Sequence, residues 1–347
     1  MSTSLRIGFL PLVDAALLVA AREEGFAEAE GLSVDLVRDV SWANLRDRLA
    51  VGMLDAAQML APAAIASTLG LGHLTVPMAA PVMLSRNGNA ITLSTRLFAA
   101  MAEAAEGDIA DVAVSARAFA AVTAARLARG EGPPVLATVF PFSTHALLVE
   151  AWLRRAGLRA GEDIPTVVLP PQLMAASLAN GQIDGFCAGA PWNVLAVEAG
   201  HGAVAALGLD LIADAPEKLL VFPAAEIDRR ADTALALARA VLAAARWAQA
   251  PDHRARLAVH MAGSAYLDMP AVRIEAILAG RIALGAGRPP RLAPAYLRID
   301  PAALAPGAEV ADRLIDAMVA AGQMQDGPAA RALARGVFRE DLHRLAT

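Results

Sequence analysis

A histidine in a turn-like segment is the first candidate for binding chemistry in this chain of 347 residues. The segment FPFSTH (140–145) follows an apolar, strand-like run and precedes a helical pattern over 146–156. His145 is therefore predicted at or near the first turn of a helix, where unpaired N–H groups and a partial positive charge favour an anion. Ser143 or Thr144 could equally serve only as a helix cap.

Three other segments contain side chains that could contact a small ligand. Lys218 is the single lysine among 30 basic residues, and lysine offers a compact point charge that arginine does not replace. Asn89 follows the turn-like pair Asn87-Gly88, and Trp42 opens a predicted helix. Each has a purely structural alternative, namely a surface lysine retained by chance, a turn, and an aromatic anchor in the core.

Composition and motifs argue against several other classes of function. The formal net charge of −5 argues against direct binding of nucleic acid, which needs a basic surface to neutralise phosphates. The sequence contains no G-x-G-x-x-G fingerprint, no Walker loop and no G-x-S-x-G elbow. Its six histidines are scattered, and its one cysteine, Cys187, lies in an apolar run. We therefore expect no metal, no cofactor and no catalytic residues, so the chain is interpreted as not being an enzyme.

The elements that must position these residues alternate between strands and helices. Apolar runs and amphipathic spacing predict, in order, a strand over 5–12, a helix over 14–24, a strand over 32–37, a helix over 41–52 capped by Ser41, and a strand over 54–60. Such alternation is typical of βαβ units and indicates an α/β fold with a mainly parallel sheet.

The length of the chain and an internal echo predict two lobes. A chain of 347 residues accommodates two domains of ordinary size. The pattern L-A-x-G-x-x-D occurs at 49–55 and again at 178–184, each time before an apolar run. The segments 88–93 and 185–192 are interpreted as crossings between lobes. The predicted division is 1–93 for the first part of lobe I, 94–190 for lobe II, and 191–347 for the return to lobe I plus a C-terminal helical segment.

Five motifs follow one another in a specific order. They are SWANLRDRLAVGMLDAAQMLAP (41–62), NGNAITL (87–93), FPFSTH (140–145), LPPQLMAASLANGQIDGFCAGAPWN (169–193) and APEK (215–218). In this order they resemble the nitrate-binding family (NrtA-like) of periplasmic-type solute-binding proteins. The resemblance implies a two-lobed, periplasmic-binding-protein-like (type II) α/β fold with a ligand cleft between the lobes.

The resemblance also implies a set of ligand-binding residues. By motif position, the family's nitrate-binding side chains correspond to Trp42, Asn89, His145 and Lys218. Many relatives have glutamine at the position of Asn89, so this amide is one methylene shorter. The bicarbonate-binding relatives have an acidic residue where Lys218 stands, which favours nitrate or nitrite as the ligand here.

The same resemblance predicts a biological role. The sequence starts without a recognisable export signal and Cys187 is internal, so we expect a cytoplasmic protein. No apolar stretch reaches the ~18–20 residues of a membrane span, so no membrane association is expected. The chain then most resembles the cytoplasmic nitrate/nitrite sensor of the family (NasS-like), which releases an ANTAR-type RNA-binding antiterminator (NasT-like) when the anion binds and so controls nitrate assimilation.

Two alternatives stay open at this point. One is the substrate-binding protein of a nitrate ABC transporter. The other is a biosynthetic enzyme on the same fold, for which His145 is the one credible catalytic side chain.

Overall fold

The computed structural model describes residues 2–72 and 74–347, and thirteen β-strands lie within this part of the chain. They are β1 (Thr3–Phe9), β2 (Leu32–Arg38), β3 (Ala56–Leu60), β4 (Met78–Asn87), β5 (Asn89–Ser94), β6 (Leu136–Thr138), β7 (Thr166–Val168), β8 (Gly185–Gly189), β9 (Gly202–Leu207), β10 (Pro216–Pro223), β11 (Arg281–Ile282), β12 (Arg291–Leu292) and β13 (Leu297–Arg298).

Seventeen α-helices lie in the same described residues. They are α1 (Ala16–Glu23), α2 (Phe26–Ala29), α3 (Trp42–Ala50), α4 (Ala61–Leu69), α5 (Thr95–Ala104), α6 (Val112–Ala128), α7 (Thr144–Arg154), α8 (Met174–Ala179), α9 (Trp192–Glu198), α10 (Gly208–Leu211), α11 (Ala224–Arg229), α12 (Ala231–Trp247), α13 (Pro251–Met261), α14 (Ala271–Leu278), α15 (Ala308–Ala320), α16 (Pro328–Gly336) and α17 (Glu340–Ala346). None of these helices is long and apolar enough to cross a membrane.

The first compact unit comprises Met1–Arg86, Pro216–Ala279 and Leu297–Thr347. Its sheet, traced over the described residues, has the strand order β13-β4-β10-β3-β1-β2. β1 runs parallel to β2 and β3, whereas β10 runs antiparallel to both β3 and β4. β3 and β10 are almost wholly buried, and their residues are apolar except for Gln58, Glu217 and Lys218.

The second compact unit comprises Asn87–Ala215 and Gly280–Tyr296. Its main sheet has the strand order β7-β6-β8-β5-β9, and β11 and β12 form a separate ribbon. β5 is antiparallel to β8 and β9, while β6 is parallel to β7 and β8. Phe119 and Trp152 meet at a ring-centroid distance of 4.8 Å and anchor the core of this unit.

Both sheets are mixed, whereas the local pattern predicted a mainly parallel sheet. In each sheet the strand that breaks the parallel order, β10 or β5, pairs with strands distant in sequence. Local alternation of strands and helices cannot reveal such an insertion, because it reports only on neighbours along the chain.

The observed units divide the chain at different residues from the predicted lobes. The first boundary lies at 86/87 rather than 93/94, and the second at 215/216 rather than 190/191. The segments interpreted as crossings instead form β5 and β8, which pair with each other inside the second unit. Residues 280–296 also belong to the second unit, although the prediction assigned everything after 191 to lobe I.

The repeated L-A-x-G-x-x-D pattern marks the same local structure in both units. α3 and α8 each end before a glycine with positive φ, as helix C-termini commonly do. The aspartate that follows binds a neighbouring backbone: Asp55 accepts from the N–H of Arg6 at 2.8 Å, and Asp184 from that of Val135 at 3.0 Å. β3 and β8 begin directly afterwards, so the echo in the sequence reflects a shared helix–turn–strand unit.

Candidate functional site

Trp42 is held at the start of α3 by capping interactions. Ser41 is the predicted N-cap, and its Oγ accepts a hydrogen bond from the N–H of Asn44 at 3.2 Å. The buried Asp39 accepts a hydrogen bond from the guanidinium of Arg48 at 2.8 Å. The indole is 1% exposed, and its Nε1 has no hydrogen-bond partner among the described residues. Trp42 thus presents both a ring face and a donor in a buried place.

Lys218 lies on β10 and is fully buried, so it is not a surface lysine retained by chance. Its Nζ is 2.8 Å from Oδ2 of Asp14 and forms a second ion pair with the Glu217 carboxylate. The same Nζ lies 5.2 Å from the centroid of the Trp42 ring, within the range of a cation–π interaction. The structure therefore brings two of the four predicted residues together in the first unit.

Asp14 and Gln58 complete this buried cluster. Asp14 lies in a 3₁₀ turn between β1 and α1, and its Oδ1 accepts a hydrogen bond from Nε2 of Gln58 at 2.6 Å. Oε1 of Gln58 in turn accepts from the N–H of Leu10 at 3.0 Å. The Gln58 amide is thereby oriented from both ends, which fixes the Asp14 carboxyl beside the ammonium of Lys218.

Burial and the neighbouring charged side chains shift the pKa values of Asp14 and Lys218. Burial raises the pKa of the Asp14 carboxyl above its ordinary value, against the opposing effect of Lys218. Burial alone would lower the pKa of the Lys218 ammonium, but Asp14 and Glu217 raise it, and the net result lies above the ordinary value. Lys218 is therefore charged at neutral pH, shared between two acidic side chains.

His145 lies in the first turn of α7, where the sequence predicted it. Ser143 is the N-cap: its Oγ accepts from the N–H of Ala146 at 3.0 Å and donates to the carbonyl oxygen of Phe140 at 2.7 Å. The helix begins two residues earlier than predicted, because Thr144 and His145 already belong to it. The imidazole is 1% exposed, so it sits among buried groups at a helix N-terminus.

Asn89 is the first residue of β5, a strand against which α7 packs. It is 1% exposed and pairs with Gly189 on β8. The preceding Asn87 adopts a φ of +61°, and its side chain ties the turn down by accepting from the N–H of Ala215 at 2.8 Å and donating to the carbonyl of Ala295 at 2.9 Å. Asn87 is thus the turn residue, while Asn89 is a buried strand residue.

Several buried polar groups near these residues were missed by the sequence analysis. In the first unit they are Asp14, Gln58 and Glu217; in the second they are Trp192, Asn193 and Tyr296. Nδ2 of Asn193 donates to the hydroxyl of Tyr296 at 3.0 Å. Asn193 Oδ1 and Trp192 Nε1 have no hydrogen-bond partner within the described chain. The available signal was a polar residue inside an apolar run, as in AAQML for Gln58 and GAPWN for Asn193.

The four predicted residues are therefore divided between the units. Trp42 and Lys218 are in contact in the first unit, and Asn89 and His145 lie on packed elements of the second. Their side chains can supply an ammonium, an indole N–H, an amide and an imidazole, which are hydrogen-bond donors suited to an oxyanion.

A family model, curated relatives and a solved structure all match most of this chain. The model of the NMT1-like family matches residues 1–262. The chain is 37% identical over 269 residues to the nitrate import ATP-binding protein NrtC of Synechocystis sp. PCC 6803, covering 76% of this chain but 38% of that protein. It is 28% identical over 292 residues to the nitrate/nitrite binding protein NrtA of Nostoc sp. PCC 7120, covering 83% of this chain and 63% of that protein.

A solved structure supports the same relationship. The periplasmic nitrate-binding protein NrtA from Synechocystis PCC 6803 superposes with a TM-score of 0.88 at 27% identity, over 99% of this chain and 88% of that one. This match confirms the expected two-lobed, periplasmic-binding-protein-like α/β fold and the resemblance to the nitrate-binding proteins. The chain spans less than two thirds of the length of the curated relatives named above.

Proposed function

Because this chain belongs to the NMT1-like family and is similar to nitrate-binding proteins over most of its length, we propose that it binds nitrate or nitrite. The proposal assigns the binding to the four buried side chains that the resemblance indicates, namely Trp42, Asn89, His145 and Lys218.

The observation that carries the proposal is the fully buried ammonium of Lys218 beside the Trp42 ring. Nitrate is planar, carries one negative charge, and has acceptor oxygens but no donor. A site for it therefore needs donors around its edge and an apolar or aromatic wall against its face. At an effective dielectric constant of 20, one opposite charge at 4 Å contributes about 4 kcal/mol, against about 1 kcal/mol in water.

The same chemistry favours nitrate and nitrite over bicarbonate. Bicarbonate brings an O–H donor that needs an acceptor, whereas Lys218 and the indole N–H of Trp42 can only donate. The carboxylates of Asp14 and Glu217 already accept from Lys218. An anion with acceptors only is therefore the better match for Lys218 and the indole of Trp42.

Of the possible biological roles, nitrate import has the better support. The similar proteins are named as nitrate import or nitrate/nitrite binding proteins, and the superposed structure is a periplasmic nitrate-binding protein. We accordingly propose that the chain serves as the nitrate-binding part of an import system. The ATP binding in the name of NrtC belongs to that protein, more than half of which lies outside the matched region.

The cytoplasmic sensor role stays a prediction from the sequence. It requires that this chain bind an ANTAR-type antiterminator (NasT-like) and release it when nitrate or nitrite is added. Co-purification of the two proteins, with and without nitrate, tests it directly. A complex that dissociates only with nitrate or nitrite would support the sensor, and no complex in either condition would leave import as the role.

Thermal unfolding with sodium nitrate, nitrite, bicarbonate and chloride tests the proposed ligand. A ligand at 100 times its Kd adds about 2.7 kcal/mol to the free energy of unfolding. We expect this stabilisation with nitrate or nitrite and not with chloride, and its loss in Trp42→Ala and His145→Ala. His201→Ala, at an exposed histidine of the second unit, is the matched control. An unchanged response of both site variants would contradict the assignment.

A further inference from the structure

Asn193 is a fully buried amide of which one end is in use. It lies in the first turn of α9 and is 0% exposed. Its Nδ2 donates to the hydroxyl of Tyr296 at 3.0 Å, and Tyr296 is buried as well. Within residues 2–72 and 74–347, Oδ1 of Asn193 and Nε1 of the adjacent Trp192 have no hydrogen-bond partner. Buried polar atoms without partners are costly, so these two atoms point to a ligand that satisfies them.

The sheet of the second unit places Asn193 at the same edge as two of the candidate residues. β6 is parallel to β8, so both strands end at one edge, where His145 follows β6 and Asn193 follows β8. β5 is antiparallel to β8, and Asn89, its first residue, pairs with Gly189, the last residue of β8. Open α/β sheets bind ligands outside the carboxyl ends of their strands. Asn193 therefore lies where a ligand of this unit is expected.

Tyr296 links Asn193 to the turn that precedes Asn89. The carbonyl oxygen of Tyr296 accepts from the N–H of Gly88 at 2.5 Å, and its own N–H donates to the carbonyl of Ala293 at 2.8 Å. The main chain of Tyr296 is thereby held against the start of β5, so its hydroxyl is a fixed anchor for the Asn193 amide.

A half-turn of the Asn193 amide exchanges the atom that it presents. A tyrosine hydroxyl both donates and accepts, so the contact with Tyr296 is kept when Oδ1 takes the place of Nδ2. The amide then presents N–H donors instead of an acceptor. Together with the indole N–H of Trp192, it offers the donors that an oxyanion without hydrogens requires.

We propose that Asn193 is a further ligand-binding residue, which turns its NH₂ group to nitrate or nitrite while the hydroxyl of Tyr296 holds its oxygen. This inference deepens the proposed function and rests on it, because it assigns one more donor to the same anion. Tyr296 is a positioning residue, since it acts on the anion only through the amide. Loss of one hydrogen bond to a charged group should raise the Kd for nitrate about 10- to 100-fold.

Isothermal titration of the full chain with sodium nitrate, with Asn193→Asp as the test variant, measures this contribution. The aspartate has nearly the same size but presents a carboxylate to the anion, so it should show the full loss of affinity. Asn180→Asp introduces the same charge at an exposed asparagine of the second unit and is the matched control, which should bind as the parent does. An Asn193→Asp variant that folds and binds nitrate as tightly as the parent would overturn the inference while leaving the proposed function intact. No binding of nitrate or nitrite by the parent would instead refute the proposed function, and the inference with it.

Asn193→Ser carries the same test if a buried carboxylate prevents folding, because serine is neutral and lacks the amide. It too should show the loss, and parent-like affinity would overturn the inference. Tyr296→Phe should weaken nitrate binding less, since the amide stays but loses its anchor. In the double variant Asn193→Ser/Tyr296→Phe, the second change should add nothing to the Kd, because the two residues act as a unit. An effect of Tyr296→Phe that persists undiminished in the Asn193→Ser background would contradict its positioning role.

Discussion

Replacing Lys218 by methionine should destabilise the protein far more than removing an ordinary surface cation. The variant keeps most of the side-chain volume but leaves Asp14 and Glu217 buried without the ammonium that both contact. Removing one partner of a buried ion pair costs about 3–5 kcal/mol of unfolding free energy. An exposed pair is worth about 0–1 kcal/mol, which is the expectation for Arg229→Met, because Arg229 is 75% exposed and lies 3.1 Å from Glu226.

The loss in Lys218→Met should also depend on pH, and its sign follows from Asp14. Burial raises the pKa of this carboxyl in the folded protein, and Lys218 opposes that shift. Without Lys218 the folded-state pKa rises further above the unfolded value. A carboxyl whose pKa is raised in the folded protein resists ionisation there. The free energy of unfolding is therefore retained at a pH below the unfolded-state pKa, and it is lost as the pH rises through the folded-state pKa. The deficit of the variant should therefore be smaller at pH 5 than at pH 8.

Urea unfolding followed by tryptophan fluorescence at both pH values measures these effects. Lys218→Met, Arg229→Met and the double variant Lys218→Met/Asp14→Asn form the series. The double variant should recover part of the loss, because one of the two buried carboxylates has been replaced by a neutral amide. If Lys218→Met unfolds within about 0.5 kcal/mol of the parent at pH 8, as typical surface substitutions do, the reasoning about the buried cluster is refuted.

Three further expectations concern the elements that carry the candidate residues. Asn87→Ala should lower the free energy of unfolding in urea by about 2 kcal/mol, since it loses two hydrogen bonds and places an alanine at a φ of +61°. Asn87→Gly should recover the part of this loss that comes from the backbone conformation, because glycine adopts positive φ without strain. Equal losses in the two variants would contradict the role of the backbone conformation. Gly185→Ala should cost about 1–3 kcal/mol, because a Cβ there would lie 2.4 Å from a methyl carbon of Leu93, and Gly132→Ala, with open space around it, is its control. Trp42→Phe keeps an aromatic ring but removes the indole N–H, so it should weaken nitrate binding in titration calorimetry less than Trp42→Ala does; equal affinities of the two variants would show that the ring face contributes nothing.

The local elements could be predicted because their signals lie in short stretches of sequence. Ser41 caps α3 and Ser143 caps α7, as side-chain oxygens placed before apolar periodicity indicate. The errors in the predicted strands and helices are mostly shifts of a few residues at their ends. At this level the physics is local, since caps, glycine turns and the spacing of apolar residues act within one or two turns of chain.

The division into units depended on tertiary structure. β5 was interpreted as a crossing, but it is the strand between β8 and β9 in the second sheet. Residues 280–296 join that unit although they are far away in sequence. Strand pairing across such distances is selected by the burial of whole faces, which no local window of the sequence contains.

By itself, the sequence determined the fold class and the likeness to nitrate-binding proteins, and it predicted four candidate ligand-binding residues, all of which the structure buries. Only the tertiary structure showed that Lys218 is shared between Asp14 and Glu217, with Gln58 holding Asp14 in place. Glu217 is adjacent to Lys218 in sequence, but Asp14 is more than two hundred residues away. The charge around a buried ammonium depends on which side chains fold against it, and only the assembled elements show which ones do.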